Sequence, residues 1–164
     1  MAAIAIVMLA ATLDCGNLFG PDVDGPAFAD VKVNGNPWQV TRLTGLVPGT
    51  PGVGFLAEHV PSDSGQINLT LAVYVKNFHG PDEYPVGNDN DNQLVIVGLS
   101  STGAHLTFAP ASNDPGKLVV TEYRGSDSTI AGVFAARVHP MTVDQIPVMP
   151  DPFEISGRFR VRPN

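Results

Sequence analysis

The strictest constraint on this chain is the run 66–76, where apolar and polar side chains alternate almost without fault. Ile67, Leu69, Leu71, Val73 and Val75 fall on one side of the alternation, and Gln66, Asn68, Thr70, Tyr74 and Lys76 on the other. A period of two is what a strand with one face in a core and one in water requires; a helix, with its 3.6-residue period, cannot hold those five apolar side chains on one face. The same period returns in 29–33, with Val31 and Val33 inward, and in 104–109, with Leu106 and Phe108 inward. It returns again through Ile130, Phe134, Ala136 and Val138, and through Phe153, Ile155, Phe159 and Val161. The more continuous apolar runs 93–99 and 117–123 read as central strands.

Clusters of turn-forming residues separate these runs: Asn34-Gly35-Asn36-Pro37, the stretch 48–52, 87–92, Asn113-Asp114-Pro115-Gly116 and Gly125-Ser126-Asp127. The 17 Gly and 15 Pro follow no collagen-like period, so they punctuate many short elements. Gly132 and Gly157 interrupt strand patterns on the inward side and are expected at a bulge or a close backbone approach. The expected fold is all-β: an antiparallel β-sandwich or partly closed barrel of about nine strands, preceded by a short hydrophobic N-terminal segment. With 164 residues, 43% hydrophobic and 15% charged, one core suffices. The division is 1–17 as a hydrophobic signal or anchor, 18–27 as a linker and 28–164 as the β domain.

Four patterns resemble a family of uncharacterised bacterial secreted and lipoprotein all-β domains. They are Val33-Asn34-Gly35-Asn36-Pro37-Trp38, Tyr84-Pro85-Val86-Gly87, Ile130-Ala131-Gly132-Val133-Phe134, and Phe153-Glu154-Ile155-Ser156-Gly157-Arg158-Phe159. The resemblance covers roughly 28–162 and implies an all-β fold and an envelope address; it implies no catalytic residue.

Residues 1–13 carry no charge and end at Asp14-Cys15. As a helix this run reaches roughly 20 Å, short of the ~30 Å of a bilayer's hydrocarbon core, so it is closer to the apolar part of a secretion signal than to a full span. Ile4, Ile6, Val7 and Leu9 are its membrane-seeking side chains, and Cys15 resembles the acylated cysteine of bacterial lipoproteins, although Asp14 stands where a small residue is usual. The readings are lipid attachment at Cys15, a retained hydrophobic anchor, cleavage to a soluble domain, or a buried first element of the core. A single cysteine excludes an internal disulfide. The net charge of -7 repels phosphate backbones, so nucleic acid is not an expected partner.

No motif marks a reaction. A Gly-x-Ser-x-Gly elbow is missing, and His59, His79, His105 and His139 are scattered along the chain. No catalytic residue, resident metal or cofactor is assigned. Asp82, Glu83 and the run 88–92 offer oxygen ligands to calcium without EF-hand spacing, and the plainer reading is a solvated hairpin tip.

Arg158, Arg160 and Arg162 alternate along the last strand and suit an acidic partner or lipid headgroups, or else pair with the chain's own acids. The stretch 139–152 carries Met141, Val143, Ile146, Val148 and Met149 among four prolines. It reads as a docking loop or as a cover for an open end of the fold, and 45–54 poses the same choice. The leading expectation is a non-enzymatic accessory subunit outside the cytoplasm, periplasmic or in the cell envelope, touching integral-membrane subunits and, through its N-terminus, membrane lipid. The alternative is an envelope-tethered binding module for carbohydrate or another small ligand, with Trp38 and three tyrosines as its supply of flat rings beyond phenylalanine.

Overall fold

Eleven strands account for most of the residues that the computed structural model describes, which are 25–46, 52–60, 68–87, 91–99, 105–143 and 152–162. In chain order they are β1 (Phe28–Val33), β2 (Asn36–Trp38), β3 (Arg42–Leu46), β4 (Val53–His59), β5 (Asn68–Val75) and β6 (Asp82–Val86). There follow β7 (Asn92–Leu99), β8 (His105–Pro110), β9 (Gly116–Arg124), β10 (Thr129–Val143) and β11 (Phe153–Val161). No helix occurs among the described residues. The N-terminal run with Ile4, Ile6, Val7, Leu9 and Cys15 lies outside them, as do Ile146, Val148 and Met149.

Every strand pairing is antiparallel, and nine strands follow one path, β2-β1-β11-β10-β8-β7-β5-β4-β3. The path curls into a half-barrel. Phe55 of β4 meets Phe159 of β11 with ring centroids 4.8 Å apart and Phe134 of β10 at 6.1 Å. Strands so far apart along the path bring their rings together only because the sheet closes round them. Phe55 and Phe159 are fully buried, so each ring contributes ~1.5–3 kcal/mol by leaving water.

The alternation read from 66–76 is realised in β5, where Leu71, Val73 and Val75 are buried. Val31, Leu106, Phe108, Ile130, Phe134, Ala136, Val138, Phe153, Ile155 and Val161 are buried as well. The Asn34-Gly35 turn carries positive φ at both residues, 48° and 77°, the geometry that matches the twist of a two-residue hairpin. Prolines inside strands sit where a missing N–H is tolerated. Pro37 is on the end strand β2, Pro85 on β6, which pairs only β9, and Pro140 beside the register shift of β10.

Strand β10 is long enough to hold two partners on one edge. Its first half pairs β9 and its second half pairs β8, while β11 runs along the other edge, so the sheet forks there. Gly132 marks the register shift against β9, and a Cβ at that position would lie 2.1 Å from the Val119 carbonyl oxygen. Gly157 is the second close approach, its absent Cβ falling 2.5 Å from the Asp30 carbonyl oxygen.

Three expectations need correction. The stretch 139–152 is not a loop throughout, because β10 continues to Val143 and carries both Met141 and Val143. Proline at 140 does not end the strand, since the bulge between Pro140 and Thr142 absorbs it. Asp82 and Glu83 belong to strand β6 rather than to a hairpin tip. Within 45–54, Gly45 and Leu46 end β3 while Val53 and Gly54 begin β4.

Candidate docking face, arginine row and cleft

The two walls of the half-barrel differ in what they present to solvent. Across β3, β4, β5 and β7, one outward row reads Thr44, Leu56, Ala72 and Val95, each directly opposite the next. The adjacent outward row reads Thr70, Val97 and Thr107 across β5, β7 and β8. The first row holds no charged residue, and the second holds none from Thr70 to Thr107 but continues across β4 and β3 through Glu58 and Arg42, an ion pair at 3.7 Å. Val97 is 38% exposed, and Met141, the extra residue of the β10 bulge beside Thr142, is 46% exposed. A bulge re-aims side chains, which is why a methionine inside a strand can project here.

The other wall is charged and internally satisfied. Arg158 Nε donates to Asp30 Oδ2 at 2.8 Å. Arg160 Nε donates to the Pro26 carbonyl at 2.7 Å, and its guanidinium lies 4.9 Å from the centroid of the Phe28 ring. Arg162 reaches Asp127 Oδ2 at 2.9 Å and Thr129 Oγ1 at 3.3 Å. The three arginines therefore form the outward row expected of them, and each has a partner within the chain. Asp127 also accepts from the Thr129 hydroxyl at 2.7 Å and backbone N–H at 3.1 Å. Chiefly that hydroxyl, with the Thr129 backbone N–H and the cations of Arg162 and Arg124, holds its carboxyl below the usual range.

Of the acidic groups that could serve calcium, Asp82, Glu83 and Asp91 have partners within the chain, while 88–90 lie outside the described residues. Asp91 binds Lys76 at 2.8 Å, which lowers the carboxyl and raises the amine, and it also accepts from Asn77 at 3.3 Å. Glu83 pairs with Lys117 at 2.9 Å and Asp82 approaches His79 at 3.7 Å. No group of three or more His, Cys, Asp or Glu is placed to hold a metal among the described residues. His59 binds the Gln39 carbonyl at 2.7 Å, and His139 lies on β10 opposite Ala109.

Tyr84, marked in the sequence only as part of the Tyr84-Pro85-Val86-Gly87 pattern, is 3% exposed and donates its hydroxyl to the Gly80 carbonyl at 2.6 Å. The His79 backbone N–H in turn donates to the Tyr84 hydroxyl oxygen at 3.3 Å. This contact with a carbonyl four residues upstream pins the turn into β6, and burial pushes the phenol pKa up.

An open cleft of about 800 Å³ runs beside β1 and β11 where the chain leaves β2. Trp38 and Gln39 line it together with Asp30, Lys32, Ser156 and Arg158. Trp38 packs partly on the core, and its indole N–H is shut from solvent without an acceptor among the described residues. A smaller cleft of about 290 Å³ is lined by Arg160, Arg162 and Thr129, the groups already bonded within the chain.

The four motifs that carry the family resemblance fall on the β1–β2 hairpin, β6, β10 and β11. Set against known proteins, the chain matches no family model, no curated protein and no solved structure.

Proposed function

We infer that this chain is a non-enzymatic accessory subunit outside the cytoplasm whose β body docks on integral-membrane subunits, with the apolar 1–17 run meeting membrane lipid. The observation that supports it is the outer wall of β4, β5, β7 and β8, where Leu56, Ala72, Val95 and Val97 gather beside the Arg42–Glu58 pair, with Val97 and Met141 exposed on a protein of net charge -7. Apolar side chains gathered on one outer wall are worth little in water and favour a partner that covers them. The arginines, being paired internally, take a secondary part at most.

The test is copurification in mild detergent. The native chain is expected to leave the membrane with a stoichiometric integral-membrane partner. The double substitution Val97→Glu, Met141→Glu places charge on exposed positions, so the domain still folds while the partner is lost. Recovery of the native chain as a free monomer, or undiminished copurification of the double variant, overturns the reading.

A further inference from the structure

We propose that the seam of the half-barrel beside Ala29 accepts an extended peptide of a partner protein, apolar on its inward face and acidic on its outward one, as an added antiparallel strand. The hydrogen-bond alternation of β1 locates the open edge. The Asn34 N–H donates to the Glu154 carbonyl at 2.8 Å, so in the β1–β11 register the even-numbered residues of β1 turn their backbone groups toward β11. The odd-numbered ones face the opposite edge, where Val33 and Val31 stand against Asn36 and Trp38 of β2. Ala29 is next in that series, but β2 has ended at Trp38, so the Ala29 N–H and C=O meet no strand among the described residues. The chain has by then crossed to β4, with the Gln39 carbonyl bound to His59 at 2.7 Å and the Thr41 N–H to the Glu58 carbonyl at 2.8 Å. The cleft of about 800 Å³ is the wedge that this departure opens.

A bare edge of this kind takes a strand through main-chain bonds, and alternate side chains of that strand fall on opposite faces. The two faces differ here. Inward, the added strand meets Ala29, Trp38 and Val40, all half-buried against the core; outward, it meets Asp30, Lys32 and Arg158. Asp30 is bonded to Arg158 at 2.8 Å, which leaves the Lys32 ammonium to set the sign, so acidic residues are favoured on the outward face of the added strand. A second copy of this chain fits badly. In an antiparallel pairing centred on Ala29, Val31 of each copy stands opposite Ala27 of the other, and the β2 that covers Val31 is in the way.

Val97 and Met141 lie on other strands, so this site and the docking wall stand or fall separately. Full-length protein in mild detergent is titrated against the fluorescein-labelled peptide Glu-Val-Glu-Val-Glu and read by anisotropy. Saturable binding is expected, about fivefold or more tighter than that of Lys-Val-Lys-Val-Lys. N-methylation of both valines, whose N–H groups face the Ala29 edge when their side chains point inward, is expected to weaken binding at least about tenfold, whereas N-methylation of the central glutamate leaves it within about twofold.

Ala29→Pro removes the edge-facing N–H without breaking a bond to β11 and is expected to abolish binding. Far-UV dichroism checks that this variant folds, and the N-methyl comparison stands without it. No binding to the native chain, equal loss from the two N-methylations, a lysine peptide bound as tightly, or a folded Ala29→Pro chain that binds like the native one overturns the proposal. So does a native dimer that Ala29→Pro dissociates, which puts a second copy in the seam.

Discussion

Gly132→Ala has a cost that follows from one contact. The added methyl would sit 2.1 Å from the Val119 carbonyl oxygen and 3.1 Å from Phe159 Cζ. A flexible side chain could swing aside, but this oxygen belongs to β9, which runs antiparallel against β10 through Val133 opposite Val119. Either strand must therefore yield by about 1 Å, which places the loss near the upper end of the overpacking range, ~3 kcal/mol. For a domain of this size that lowers the thermal midpoint by about 6–12 °C.

Urea unfolding followed by Trp38 emission measures it, with an unchanged slope showing that the denatured state is unaltered. Gly157→Ala is expected to behave alike, because its methyl would meet the Asp30 oxygen at 2.5 Å and Phe134 Cζ at 2.7 Å. Gly125→Ala is the matched control. Its methyl finds nothing closer than Tyr123 Cε1 at 3.7 Å, so its stability is expected within ~0.5 kcal/mol of the native chain. A Gly132→Ala protein as stable as that control refutes the close-approach argument.

Phe159→Ala removes a fully buried ring stacked near Phe55 and is expected to cost ~3–5 kcal/mol by the same unfolding assay; a loss under ~1 kcal/mol means the barrel interior is not packed as described. Tyr84→Phe leaves the Gly80 carbonyl without its donor and is expected to cost ~1–2 kcal/mol. Because burial raises the Tyr84 phenol, the folded state holds that proton longer, so stability declines as pH rises above the ordinary phenol value of ~10. In an ultraviolet titration the Tyr84 contribution, taken as the difference from the Tyr84→Phe variant, should appear above that ordinary value, and its appearance at or below it contradicts this. Asp127 has the opposite sign: its lowered carboxyl stabilises the fold above the ordinary carboxylate pKa, and that contribution disappears as pH falls through the lowered value. Thr129→Val deletes the largest cause, so carboxyl NMR is expected to show the Asp127 pKa moving up, and an unmoved value rules out the hydroxyl as that cause.

Strand β5 is legible in the sequence because its inward positions are large and its outward ones mostly polar. Strand β4 escapes such reading. Its buried positions include Gly54 and Ala57, which carry little hydrophobic signal although Phe55 between them sits at the barrel centre. The end of β10 is hidden by Pro140, a residue that reads as a break until a bulge is seen to accommodate it. The arginine row is visible from alternation alone, whereas its partners are not. Asp30 lies 128 residues from Arg158 in sequence, and only the β1–β11 register brings them together. The apolar wall is harder still, since Leu56, Ala72, Val95 and Val97 come from three strands and form a surface only after pairing.

The place of β11 between β1 and β10 bears on how such a chain is made. Apart from the short β2, the first strand has no neighbour until the last strand has been synthesised, and Phe159 fills the interior only then. A nascent chain lacking its final segment has a seam it cannot close, so folding waits for nearly the whole polypeptide and proceeds slowly through distant pairings. A premature stop before residue 153 leaves β1 without its long partner and the interior without Phe153, Ile155 and Phe159, so it yields material for proteases rather than a smaller domain.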